Sequence, residues 1–269
     1  MENKLRAAVP LPRRILLGCH RGDRKNFPEN TMPAFRAAVA MGLDAIETDV
    51  RRTKDGHLVL IHDREVDRTT NGTGRVDERT LAELRALDAG FWKGEEFRGT
   101  PIPTVEEFLE LVAPTDLIVN WELKEWPVDL GQEWAFETIE RLNTLLDRYH
   151  MTARSLMNSF SEQNLEYCAT RWPKKYLLHG YLNYARPKDH ATLPQEQFLD
   201  WAAIWRKDEN HPAGFPEDYA TLAKEGILPC ILVPDTEDAY RAALELGCRM
   251  FTSDDPTTAQ TILRRLGAI

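Results

Sequence analysis

The chain has 269 residues, 42% of them hydrophobic, and 34 Lys plus Arg stand against 43 Asp plus Glu, for a formal net charge of −9. That acidic balance argues against general nucleic-acid binding, which needs a basic face, so any anion site must be assembled locally from a metal or a few Arg and Lys. No run approaches the roughly 18 apolar residues of a membrane span, and the four scattered cysteines (Cys19, Cys168, Cys230, Cys248) have neither zinc-ligand spacing nor the look of a disulfide framework.

Leu16-Leu17-Gly18-Cys19 resembles the end of a bacterial lipoprotein signal, but Pro10, Pro12, Arg13 and Arg14 leave no continuous apolar segment before it. The chain therefore reads as cytoplasmic, with no membrane anchor. Residues 15–19 suit a short buried strand. Asn30 or Thr31 is expected to cap a helix with Pro33 in its first turn, Ala34, Phe35, Ala38 and Met41 on its apolar face and Gly42 as the stop.

Ala45 to Val50 is the next strand, with Ala45, Glu47 and Asp49 on one face. After the Asp55-Gly56 turn comes a strand from Leu58 to His62, then a loop-rich stretch, a short helix at 81–87 and a helix opened by Pro103-Thr104. Leu117 to Lys124 forms a strand that puts Asn120, Glu122 and Lys124 on one side. Further strands are expected near 155–159, 176–180, 202–205, 227–233 and 249–252. Helices are expected at 132–149, 162–171, 216–225, 236–246 and 256–266. Strand–loop–helix rhythm of this kind indicates a parallel sheet. About eight such units closing on themselves give a single TIM (β/α)8 barrel over residues 1–269, its core about 15–266, with a small loop-rich insertion after the His62 strand.

His20, Glu47, Asp49, His62, Glu122 and Lys124 all fall at or just beyond predicted strand ends, where barrel enzymes keep their active sites. Glu47 and Asp49 share a strand face, and two acids that close do not both stay ionised cheaply without a cation. With Glu122 they make an all-oxygen set suited to one divalent cation, Mg²⁺ or Ca²⁺. The plainer alternative is salt bridges to Arg51 and Arg52. His20 and His62 can serve as base and acid near neutral pH, and Arg21 and Lys124 add fixed positive charge for phosphate oxygens.

His20-Arg21-Gly22, Pro28-Glu29-Asn30-Thr31, Glu47-x-Asp49, His62-Asp63 and Glu122-Leu123-Lys124, in this order and spacing, resemble the glycerophosphodiester phosphodiesterase family. Weaker matches continue through Thr69, Gly72 and Gly74, Leu87 to Gly90, Ile102-Pro103-Thr104, Ser159-Phe160 and Ser253-Asp254-Asp255-Pro256. The resemblance implies a TIM barrel and metal-dependent hydrolysis of glycerophosphodiesters, small-molecule substrates, to glycerol 3-phosphate and an alcohol. It also implies metal ligands at Glu47, Asp49 and Glu122, acid–base work at His20 (base) and His62 (acid), and phosphate contacts from Arg21 and Lys124. Glu29 reads as an anchor for the loop carrying Arg21, and Asn30 as a helix cap.

The family's tryptophan near the C-terminal strand is absent from Cys230 to Asp235, so an aromatic is sought at Trp201, Trp205, Trp121 or Trp126. The competing activities are a lysophospholipase D-like reaction, sugar-phosphodiester hydrolysis and a lyase releasing a cyclic phosphate. Glycoside hydrolysis would need carboxylates flanking the scissile bond at about 5–9.5 Å, not clustered on one strand. A binding protein descended from an enzyme would have no need of every catalytic position. Oligomeric state leaves no signature in the sequence.

Overall fold

In the computed structural model, which describes residues 5, 14–182, 189–205, 207–234 and 236–269, nine strands form one sheet. The leading basic segment, Asp235, and the part of the 178–212 stretch at 183–188 and 206 lie outside the described residues. The strands are β1 (Leu16–Cys19), β2 (Ala45–Arg52), β3 (Leu58–Leu60), β4 (Ile118–Leu123), β5 (Ser155–Asn158), β6 (Leu177–Leu182), β7 (Trp201–Ile204), β8 (Leu228–Leu232) and β9 (Met250–Ser253). Eight of them are parallel, and pairing of β1 with both β2 and β9 closes the barrel.

β3 differs from the sequence expectation. It does not enter the parallel barrel but runs antiparallel to β2, with Val50 opposite Leu60 and Arg52 opposite Leu58. The reason is the five-residue link from Thr53 to His57, long enough for a hairpin but far short of the dozen residues a parallel crossover requires.

Helices α1 (Met32–Ala40), α2 (Leu81–Arg85), α3 (Val105–Val112), α4 (Pro127–Leu130), α5 (Gln132–Arg148), α6 (Glu162–Arg171), α7 (Pro216–Glu225) and α8 (Glu237–Glu245) lie between the strands, and α9 (Pro256–Arg265) follows the last. Local chemistry starts α2 and α3 where expected, whereas the short α4 is not among the expected helices. Thr80 with Glu83, and Thr104 with Glu107, form reciprocal capping boxes at α2 and α3.

Alternation along each strand separates two apolar regions. Ile46, Val50, Phe35, Phe108 and Trp121 belong to the layer between strands and helices, where Phe108 meets Trp121 edge-on at 5.5 Å. Burying each such side chain contributes about 1.5–3 kcal/mol. Leu16, Leu156, Trp201, Cys230 and Met250 instead fill the lower barrel interior. Above this plug the inward positions turn polar, and the site begins.

Candidate active site

Because Glu47 pairs across the strands with Asn120, and Asp49 with Glu122, the inward carboxylates of β2 and β4 meet at the upper end of the barrel. One oxygen from each of Glu47, Asp49 and Glu122 lies within 4.8 Å of the others, and all three residues are buried. Arg51 and Arg52 do not neutralise them: Arg51 pairs with Glu125 at 3.6 Å and Arg52 with Glu137 at 2.7 Å. Their compensation comes from elsewhere. Lys124 Nζ reaches Asp49 Oδ1 at 3.1 Å and contacts Glu122, while Arg21 Nε lies 3.2 Å from Asp49 Oδ2.

The compensation is uneven. Burial would raise Asp49, but Lys124, Arg21 and His62 and a 2.6 Å bond from Asn30 Nδ2 hold it well below the usual carboxylate range. Burial raises Glu47 well above that range, and the charges of Asp49 and Glu122 push it further. Glu47 Oε2 accepts the backbone N–H of Arg21 at 2.9 Å, yet its buried Oε1 has no hydrogen-bond partner among the described residues. A buried oxygen without a partner is costly, and a hard divalent cation beside three such carboxylates would satisfy it. The donor set therefore fits the implied metal.

His20 follows β1 directly, and its Nδ1 lies 2.6 Å from Asp254 Oδ1 beyond the end of β9. Burial lowers its pKa, partly offset by Asp254. Its Nε2 is 3.8 Å from Glu47 Oε2. His62 arrives by the hairpin: Ile61 donates its N–H to Asp49 O at 3.1 Å, which sets the next residue at the height of the carboxylates. His62 Nδ1 lies 2.6 Å from Asp63 Oδ1, and bonding to His62 is the first reason the Asp63 carboxyl stays well below its ordinary value. In both pairs the acceptor is a carboxylate, so Nδ1 carries the hydrogen and Nε2 is left for chemistry.

The turn carrying Arg21 is strained into place. Arg21 and Asn30 both have positive φ, 56° and 53°, unusual for residues with side chains. Between them Gly22 has φ +77°, and a Cβ there would sit 2.9 Å from Ala34. Asn30 is not the helix cap the sequence suggests. Thr31 holds that position, while Asn30 turns inward, donating to Asp49 and accepting from Thr48 Oγ1 at 2.9 Å. Its left-handed backbone aims the amide at β2 rather than at the first turn of α1.

The expected anchor role of Glu29 fits its 2.8 Å bond from Arg21 Nη1. Sequence reasoning quoted Asp63 and Asp254 in motifs without giving them a task, and missed Arg24 and Arg68. Asp254 could have been found as the first acid after β9, adjacent to β1 in a closed barrel.

Opposite the charged cluster stands an aromatic wall. Phe160 stacks on Tyr181 at 3.5 Å and meets Trp205 edge-on at 5.0 Å. Trp126, Phe160 and Trp205 line a cavity of about 290 Å³ with His62 and Lys124. Trp121 and Trp201 are excluded from that wall, since the first is buried on the helix side and the second belongs to the lower plug. Cys19, the residue of the lipoprotein-like motif, is a buried part of β1. No helix of the described residues is long and apolar enough to cross a membrane.

A closed parallel barrel that gathers buried acids, imidazoles and cations at the C-terminal ends of its strands defines a TIM-barrel enzyme. The model of the glycerophosphoryl diester phosphodiesterase family matches residues 20–258. A glycerophosphodiester phosphodiesterase of Caldanaerobacter subterraneus is 36% identical over 260 residues, covering 94% of this chain and 100% of the relative. Among solved structures, a phosphodiesterase of Oleispira antarctica in complex with the product sn-glycerol-3-phosphate superposes with a TM-score of 0.78 at 26% identity, over 93% of this chain and 96% of the other. A glycerophosphodiester phosphodiesterase of Agrobacterium tumefaciens has a TM-score of 0.72 at 26% identity, over 90% and 97%. The chain belongs to the glycerophosphoryl diester phosphodiesterase family and is a phosphoric diester hydrolase.

Proposed function

We propose that this enzyme hydrolyses glycerophosphodiesters to glycerol 3-phosphate and an alcohol, with Glu47, Asp49 and Glu122 holding one Mg²⁺ or Ca²⁺ and His20 and His62 exchanging the protons. The observation that carries the reading is the pair of imidazoles at the edge of the carboxylate cluster, each with Nδ1 2.6 Å from its own carboxylate. When bound, the cation neutralises phosphate charge and polarises the P–O bond.

His20, kept neutral by burial, takes the proton of an attacking water through Nε2 as the new O–P bond forms. His62 delivers a proton from Nε2 to the departing alcohol oxygen as the old P–O bond breaks. Arg21 and Lys124 stay cationic, because neighbouring acids outweigh their burial, and they hold the phosphate oxygens. A hydroxyl of the glycerol can replace water as nucleophile and give a cyclic phosphate first. An analogue lacking that hydroxyl separates the two routes, since unchanged turnover eliminates the cyclic one. The aromatic wall is the surface offered to the alcohol group. The Oleispira antarctica relative's product complex supports glycerol 3-phosphate as the product here.

Phosphorus NMR of products from glycerophosphocholine, glycerophosphoethanolamine and a lysophospholipid, run with EDTA and then with Mg²⁺ or Ca²⁺ restored, tests the proposal. Glycerol 3-phosphate should appear only with the cation present. Undiminished turnover in EDTA, or a cyclic phosphate as sole final product, would sink it.

A further inference from the structure

The two imidazoles sit on different supports, one on the barrel wall and one on the appended hairpin, yet both trace back to a single buried carboxylate. From His20 the contacts run Nδ1 to Asp254 Oδ1 at 2.6 Å, Asp254 Oδ1 to Arg24 Nη1 at 3.2 Å, and Arg24 Nη2 to Glu29 Oε2 at 3.1 Å. From His62 they run Nδ1 to Asp63 Oδ1 at 2.6 Å, Asp63 Oδ2 to Arg68 Nε at 2.5 Å, and Arg68 Nη2 to Glu29 Oε1 at 2.7 Å. Arg24 Nη1 also lies 3.3 Å from His20 Nδ1, but both groups are donors and Asp254 Oδ1 is the acceptor they share.

We propose that Glu29 is a positioning residue that holds the two histidines in mutual register through two parallel arms, Arg24–Asp254 and Arg68–Asp63. The proposal rests on the acid–base reading above. Neither arm alone is a strong constraint. The side chains of Arg24 and Asp254 are 26% and 44% exposed, and ion pairs that open to water contribute little. Glu29 changes this because its own side chain is only 2% exposed. Arg24, Arg68 and Arg21 all converge on it, and they keep it ionised despite its burial. Each guanidinium is thereby held at its inner end, Arg68 by a hydrogen bond and Arg24 by an ion pair alone, before it meets the aspartate at its outer end.

One turnover needs both imidazoles correctly placed relative to a single phosphorus. A support common to both transmits any drift of one to the other, and small misplacements of reacting groups cost up to about 100-fold in rate.

The test is a double-mutant cycle on the full chain, Arg24→Gln, Arg68→Gln and their combination, with Glu29→Gln alongside. kcat and KM on glycerophosphocholine, Ca²⁺ affinity by calorimetry and the melting temperature are measured for each. Each single substitution should lower kcat about 10-fold, with KM and Ca²⁺ affinity unchanged. The combination should cost about what one substitution costs, since either cut breaks the same link. Glu29→Gln should lower kcat at least as far and, because it also releases Arg21, should raise KM as well. If it fails to fold, the arginine pair still decides, because both side chains are partly exposed.

Arginine losses that multiply to about 100-fold, or that fall on Ca²⁺ affinity or melting temperature with kcat intact, would overturn the bridge. Full activity of His20→Ala and His62→Ala would overturn the acid–base reading and the bridge with it. Inactive histidine variants combined with multiplying arginine losses remove the bridge alone.

Discussion

The two sides of the barrel mouth are built on opposite principles. β1, β2 and β4 send up His20, Glu47, Asp49, Glu122 and Lys124, each buried and bound to a partner by a hydrogen bond or an ion pair. β5, β6 and β7 lead to Phe160, Tyr181 and Trp205, which touch one another through ring faces and edges. The first side is over-determined, since moving one charge strands another in a medium where stranded charge is expensive. The second tolerates exchange, because aromatic contacts are broad and non-specific in direction. In the function proposed above, the phosphate end of the reaction belongs to the rigid side, and discrimination among alcohols to the adaptable one.

Glu47→Gln is the most severe way to challenge that division. The amide mimics the neutral acid that burial already favours, so the metal-free protein should melt no lower than the parent. Activity should nevertheless fall about 1000-fold on every diester alike, the equivalent of losing several kcal/mol of cation-assisted stabilisation. A loss confined to some alcohols would break the comparison.

A second test lies beneath the aromatic side. His179 is fully buried, its Nε2 3.0 Å from Cys230 Sγ, and burial drives its pKa down to about 3. The unfolded chain takes up that proton near pH 6.5 while the folded chain does not. This term therefore removes stability as pH falls from about 6.5 to about 3, by at most about 1.4 kcal/mol per pH unit. In His179→Phe the urea midpoint should fall less steeply across that window than in the parent. Equal slopes would mean the imidazole finds a proton partner inside the barrel.

Trp205→Ala should have the smallest effect. About half of this residue is exposed, and losing its edge contact with Phe160 should raise KM for bulky alcohol groups by about 5-fold, near 1 kcal/mol. The methyl diester of glycerol phosphate should be hydrolysed as before. An equal loss on both substrates would place Trp205 in the phosphate machinery and blur the two sides.

The rigid side was largely legible from sequence, and physics says why. Carboxylates two apart on a strand must share a face, and a strand end in an α/β barrel has only one functional rim. Trp121, offered as a pocket aromatic, lies on the helix side, as its alternation with Asn120 and Glu122 already implied. Alternation does not measure depth, so Trp201 and Trp205, four residues apart on the same inward face, looked equivalent although one is plug and the other rim. Nor does it give strand direction: Leu58 to Leu60 reads as a strand in either sense, and only the short preceding link argues for a hairpin. The arginines at 24 and 68 sit in loops without periodicity, where function has no pattern to leave. Asn30 was misread because its left-handed backbone, invisible in composition, redirects an otherwise good capping side chain.

The hairpin has one more implication, for how such a protein can change over time. The circuit of strand pairing closes without β3, since β1, β2 and β4 through β9 complete it among themselves. His62, proposed above as the acid, thus sits on an element attached to the barrel rather than woven into it. The loop-rich stretch between Arg68 and α3 lies outside that closed ring of eight strands, so additions to it leave the ring's pairing untouched. New recognition elements can be added there beside the carboxylate cluster without rebuilding the barrel.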